Sequence, residues 1–128
     1  MDPLDFLALA ERLAKEAGEA ALRSAISWAY YGVFIHIRDD LEQRGLFIGK
    51  AGGEHEEIPK RLEEAGEQQT ADDLRDLRIE RRRADYEMRR SFVQRDALAA
   101  CQAAGHVHRA FGSIDPLNFA KAKKATPP

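Results

Sequence analysis

Apolar residues along this chain recur at spacings of three and four and nowhere alternate strictly with polar ones, a period that belongs to helices rather than strands. Asp2-Pro3 reads as a helix start, with Phe6, Leu9, Ala10, Leu13 and Ala17 on one stripe and Gly18 ending or bending it. From Glu19 to Arg44 there is no proline and one glycine, Gly32. Between Ala25 and Ile37 the apolar positions wrap nearly the whole circumference, which predicts a central helix with Gly45 as its C-cap. Gly45–Gly53 then reads as a glycine-punctuated loop with a hydrophobic middle, and His55–Ala65 as a short helix broken early by Pro59. Thr70 is placed to cap the next helix, with Asp72 and Asp73 at the positive end of its dipole and its end near Arg90. After a break around Ser91, the positions Val93, Ala97, Ala100, Cys101, Ala104, Val107 and Phe111 predict a last helix that Gly112 stops. The expected fold is an all-α, up-and-down bundle of four to five helices over residues 1–112. Residues 113–128 form a partly flexible C-terminal tail in this reading, docking through Leu117 and Phe119 before fraying.

One position breaks the pattern. In the fourth expected helix Leu74, Leu77, Arg81, Ala84 and Met88 share a face, and four of the five are residue types that seek a core. A guanidinium cannot lose its charge there, so Arg81 must reach water, meet an acid, or line a cleft that takes an anion.

Composition narrows the setting. A chain of 128 residues suits one domain with its own core. A formal net charge of -2 does not oppose nucleic-acid binding when arginines are concentrated locally. The single cysteine, Cys101, permits no disulfide framework within a chain and reads as a small core residue. With no apolar run long enough for a membrane and no basic, apolar leader, the expectation is a soluble cytoplasmic protein without membrane association.

Several chemistries drop out on spacing. The chain has neither a Glu-x-x-His pair nor His-Glu-x-x-His, and His106 and His108 point apart on a helix, so no metal or other cofactor is expected. The run Gly49–Gly53 lacks the spacing of a phosphate loop and the strand before it. What remains is the arginine-rich segment Arg75 to Arg95, interleaved with carboxylates. Most of it reads as a solvated face of pairs at three and four residues, such as Asp85 with Arg81, Arg82 or Arg89. Tyr86 adds a hydroxyl and a ring beside Arg81, while Trp28, Tyr30 and Tyr31 read first as core.

Trp-Ala-Tyr-Tyr-Gly-Val-Phe-Ile-His36 on the long helix, Gly45, His55 opening the next segment, and Leu77-Arg-Ile-Glu-Arg-Arg-Arg-Ala-Asp-Tyr86 together resemble the HEPN superfamily, in particular its small stand-alone prokaryotic proteins. The likeness covers most of Leu22 to Tyr86 and rests on the order of several short motifs. It implies a helical bundle, commonly a homodimer, that acts on or binds RNA or a nucleotide phosphate in a defence or toxin-antitoxin setting, often beside a nucleotidyltransferase-type antitoxin partner. Active members are metal-independent ribonucleases with an arginine followed, after four to six positions, by a histidine. Arg81 matches that arginine, Arg82 the polar residue after it, and Tyr86 stands where the histidine falls. The residues so implied are Arg81, Asp85 and Tyr86 for catalysis and Arg78, Arg81 and Arg82 for RNA or phosphate. A phenol with a pKa near 10 is a poor base at pH 7, so weak or no cleavage is expected unless His36 or His55 substitutes. The alternative is a non-catalytic dimerisation or adaptor module in which Arg81, Asp85 and Tyr86 form a buried polar network fixing helix register.

Overall fold

The computed structural model describes residues 1–46 and 53–119, and among these the chain is all-helical. Five helices follow in order: α1 Leu4–Leu13, α2 Glu19–Gln43, α3 Glu54–Glu64, α4 Gln68–Tyr86 and α5 Gln94–Gly112. A last helical turn spans 116–119. No helix among the described residues is long and apolar enough to cross a membrane.

α2 is the axis of the bundle, with α1, α4 and α5 all packed on it. Its buried residues, from Leu22 through Ile26, Tyr30, Val33 and Ile37 to Leu41, point in more directions than one amphipathic face allows, as its all-round apolar sequence predicts. Gly32 lets α1 approach closely, because a Cβ there would lie 2.9 Å from the Leu7 backbone nitrogen. α3 rests against α4, and α5 closes the bundle against α1, α2 and α4. Gly45 and Gly66 end α2 and α3 with positive φ of 69° and 86°. In each case the next residue's N–H returns to a carbonyl five residues back, Leu46 to Leu41 and Glu67 to Leu62, which satisfies carbonyls left open at a helix end.

Several expectations are corrected. In α1 the buried stripe is Leu7, Ala10 and Ala14, and Ala17 is exposed beyond the helix. α3 runs through Pro59 unbroken: the proline forgoes one hydrogen bond near the helix start, and its ring is buried beside Ile58 and Leu62. α4 begins at Gln68, so Thr70 is a buried residue inside it rather than a cap, and Asp72 and Asp73 lie in its second turn. It also ends earlier than Arg90. Met88 therefore leaves the seam and is 66% exposed, while Phe92 takes a core place at 3% exposure. Val93 precedes α5 and is exposed, its N–H donating to Asp96 Oδ2 at 2.8 Å. In the last segment Phe119 docks against Phe111, with Ile114 also buried, but Leu117 faces water. Most of the expected Gly45–Gly53 loop and the lysine-containing end of the tail lie outside the described residues.

Candidate arginine–histidine site

Arg81 sits where its sequence position demands, in the α4 seam between Leu77 and Ala84, and is 7% exposed. Two rings of α2 receive it, its guanidinium carbon lying 5.1 Å from the centre of Tyr31 and 5.6 Å from that of Tyr30. A cation over aromatic faces recovers part of the hydration it loses. One terminal nitrogen, Nη1, meets Asp85 Oδ2 at 3.2 Å, and Ser27 donates its hydroxyl to the same oxygen at 3.4 Å. Nε of Arg81 is buried with no hydrogen-bond partner among the described residues, and so is Nε of Arg78 one turn earlier. No carboxylate among the described residues pairs with Arg78 at all. Of these two guanidiniums only that of Arg81 meets a carboxylate, the part-buried Asp85, which leaves a surplus of positive charge and of N–H donors in a partly desolvated place.

The histidine of this site arrives from α3. Arg38 of α2 pairs with Glu54 at 3.4 Å and tethers the start of α3, which brings the next residue, His55, over Phe34 with the rings 4.6 Å apart and nearly parallel. Tyr30, 1% exposed, lies 2.6 Å from His55 Nδ1 through its hydroxyl. Burial raises the Tyr30 phenol above its ordinary range, so the hydroxyl keeps its proton. Among the described residues that proton has one acceptor, His55 Nδ1. The partners therefore assign the neutral imidazole its own proton at Nε2. Burial, then Arg78 and Arg81, push the His55 pKa below its usual value, so at pH 7 the ring is neutral and offers an N–H donor. Arg78 and Arg81 thus lie near enough to His55 to act on its charge, and each keeps an Nε without an acceptor among the described residues.

The other sequence candidates are dispersed. Arg82 is exposed on the outward side of α4, and Tyr86 in its last turn is 71% exposed, with no contact to Arg81 among the described residues. Asp85 does meet Arg81, but Arg82 and Arg89 do not pair with it. Arg75 belongs to the α3–α4 joint, where it pairs with Glu56, Glu63 and Asp72. Arg83 and Arg90 share Glu80. His36 turns to α5, edge-on to His108 at 4.8 Å, and His106 lies 3.7 Å from Asp73. Burial pushes the Cys101 thiol up to about 11, in keeping with a core residue and not a nucleophile. No group of three or more His, Cys, Asp or Glu side chains among the described residues is placed to hold a metal ion.

A concavity of about 660 Å3 lies between α4 and α5, away from Arg81. Its charged lining is mostly acidic, Asp73, Asp76, Glu80 and Asp96 against Arg90 and His106, so it is less suited to an anion than the arginines of α4.

Sequence reasoning missed Arg23. It donates from Nη1 to the Ala84 carbonyl at 2.8 Å and from Nη2 to the carbonyls of Glu87, at 3.0 Å, and Arg90, and it lies over the Phe92 ring. Nothing in its neighbourhood on α2 signals a partner sixty residues away. The tautomer of His55 was equally out of reach, since it depends on a tyrosine of another helix. No protein-family model matches the chain, and neither a curated protein nor a solved structure matches it.

Proposed function

We propose that this chain is a HEPN-like protein that binds RNA or a nucleotide phosphate through Arg78 and Arg81, in the prokaryotic defence or toxin-antitoxin setting that the resemblance implies. The observation carrying the reading is that Arg78 and Arg81 of α4, near a histidine whose Nδ1 is taken by Tyr30, both keep a buried Nε without an acceptor among the described residues, where Arg61, the other such arginine, is paired with Glu57 and Glu64. A buried N–H left unpaired costs on the order of 1–3 kcal/mol, a cost that a phosphate oxygen would offset. His55 takes the place in this site that the resemblance assigned to position 86, but with the proton on Nε2 it donates to an anion and does not act as a ready base. Binding with weak or no cleavage follows from that arrangement. A homodimer and a nucleotidyltransferase-type partner belong to the same reading as expectations of the resemblance.

The adaptor alternative is favoured by one contact, the Arg81–Asp85 pair within the chain, extended by Ser27. Titrating labelled single-stranded RNA without metal at several salt concentrations separates the two. Phosphate binding predicts affinity that falls steeply with salt and is lost in Arg81→Ala, which stays folded. A folded Arg81→Ala that keeps full RNA affinity, or a variant that unfolds or changes oligomeric state with no RNA bound by the wild type, favours the adaptor.

A further inference from the structure

We infer that Trp28 and Tyr31 form a nucleoside subsite beside the arginine pair, so that the ligand is an unstacked nucleotide of a single strand and not phosphate alone. The inference rests on the reading of Arg78 and Arg81 as the phosphate site. α1 and α4 both pack on α2 without an extended contact to each other, which leaves a strip of α2 between them. That strip carries Trp28 and Tyr31, both only partly buried. Tyr31 lies against the Arg81 guanidinium, 5.1 Å from ring centre to guanidinium carbon, and the Trp28 ring centre is 6.2 Å from that of Tyr31, so Tyr31 links the indole to the arginine.

Phe6 of α1 stacks on one face of Trp28 at 4.8 Å and 11°, which fixes the ring in place. Tyr31 is tilted 57° to it, so the two do not cover each other's faces, and no other ring among the described residues stacks on the indole. The Trp28 indole N–H and the Tyr31 hydroxyl have no hydrogen-bond partner among the described residues, and neither is sealed from solvent. Two partly exposed rings, one held in place by Phe6 and both with a polar tip unpartnered among the described residues, set beside cations that hold phosphate, match a base with its sugar. A duplex, whose bases are stacked on one another, could not use it.

Trp28 is the only tryptophan of the chain, so its emission reports the subsite directly. The wild type is titrated with inorganic phosphate, ribose 5-phosphate, a nucleoside monophosphate, a short single-stranded RNA and the matching duplex. Labelled-RNA anisotropy serves for Trp28→Leu and Tyr31→Phe, with circular dichroism confirming their fold. The nucleotide and the single strand should quench Trp28 and bind about 5- to 100-fold more tightly than ribose 5-phosphate. Trp28→Leu should remove that advantage while leaving phosphate affinity unchanged, and Tyr31→Phe should reduce it in part. Equal affinity for ribose 5-phosphate and nucleotide without quenching, both still dependent on Arg81, would overturn the subsite and leave the phosphate site standing. Loss of Arg81 dependence would overturn both. Trp28 emission that changes with protein concentration and resists RNA would assign the strip to a second copy of the chain, also against the subsite.

Discussion

Arg23 and Arg81 both have side chains largely withdrawn from water, and the fold treats them in opposite ways. Arg23 spends its terminal nitrogens on three carbonyls at the α4–α5 turn, with Glu19 at 3.5 Å from its Nε and Phe92 beneath it. It ends α4, turns the chain, and places Phe92 in the core, where the Phe92 N–H also donates to Glu19. Arg81 has one carboxylate contact and two rings, and its Nε and that of Arg78 are left over. A guanidinium whose terminal nitrogens are spent on backbone carbonyls is a structural part, because its bonds hold other segments of the fold in place. An unsaturated one is held at a cost that folding alone does not explain.

Substitution with methionine, which keeps the buried stem and removes the charge, puts this contrast to the test. Arg23→Met should lower stability by about 2–4 kcal/mol in urea denaturation, since it strips charged hydrogen bonds from three carbonyls at once, and should leave RNA affinity unchanged in the folded fraction. A smaller loss than about 1 kcal/mol would put Arg23 in the same class as Arg81. Arg81→Met should change stability by less than about 1 kcal/mol yet weaken RNA binding 10- to 100-fold, which anisotropy reads. Should it instead unfold the protein, the Asp85–Arg81–Ser27 network is structural and the contrast disappears.

Tyr30→Phe comes next. It should cost roughly 1 kcal/mol for the hydroxyl contact and free His55 Nδ1, measurable as a changed tautomer balance in nitrogen NMR of the histidine ring. The pH dependence has a definite sign. His55 is lowered by burial, Arg78 and Arg81, and His108 by burial, His36 and Arg109. Both fold as neutral rings, so the unfolded chain binds more protons. Their contribution to stability is complete above the ordinary imidazole pKa of about 6.5 and is lost as pH falls below it. Arg78→Ala should raise the His55 pKa toward its ordinary value and so shrink that loss, followed by NMR titration. Arg82→Ala and Tyr86→Phe should do least, each within about 0.5 kcal/mol of wild-type stability, with RNA affinity changed much less than in Arg81→Met. A Tyr86→Phe protein that loses RNA binding would return Tyr86 to the site.

Much of the bundle was legible from periodicity, because a helix core imposes its spacing wherever it is built. The all-helical class, the central α2, Gly45 as its stop and the core residues of α5 from Ala97 to Phe111 could be read directly. The Arg81 anomaly could be read too, since a charge in an apolar seam stands out against its neighbours. The end of α4 could not. Met88 continues the seam spacing, yet Arg23, remote in sequence, takes the carbonyls of Ala84, Glu87 and Arg90 and turns the chain before it arrives there. Arg82 and Tyr86 lie close to Arg81 in sequence and apart from it on the helix surface, because adjacent residues and those five apart do not share a face.

The residue spacing by itself determined that this protein is helical and that one arginine would have to be accommodated inside it. Only the packed helices decided what stands around that arginine: two tyrosines of α2, a second arginine without an acid, and a histidine of α3 turned by a buried phenol. The division has a physical cause. Helical periodicity is a local property of a few turns, whereas the saturation of a hydrogen-bonding group depends on atoms that the chain brings together from tens of residues apart.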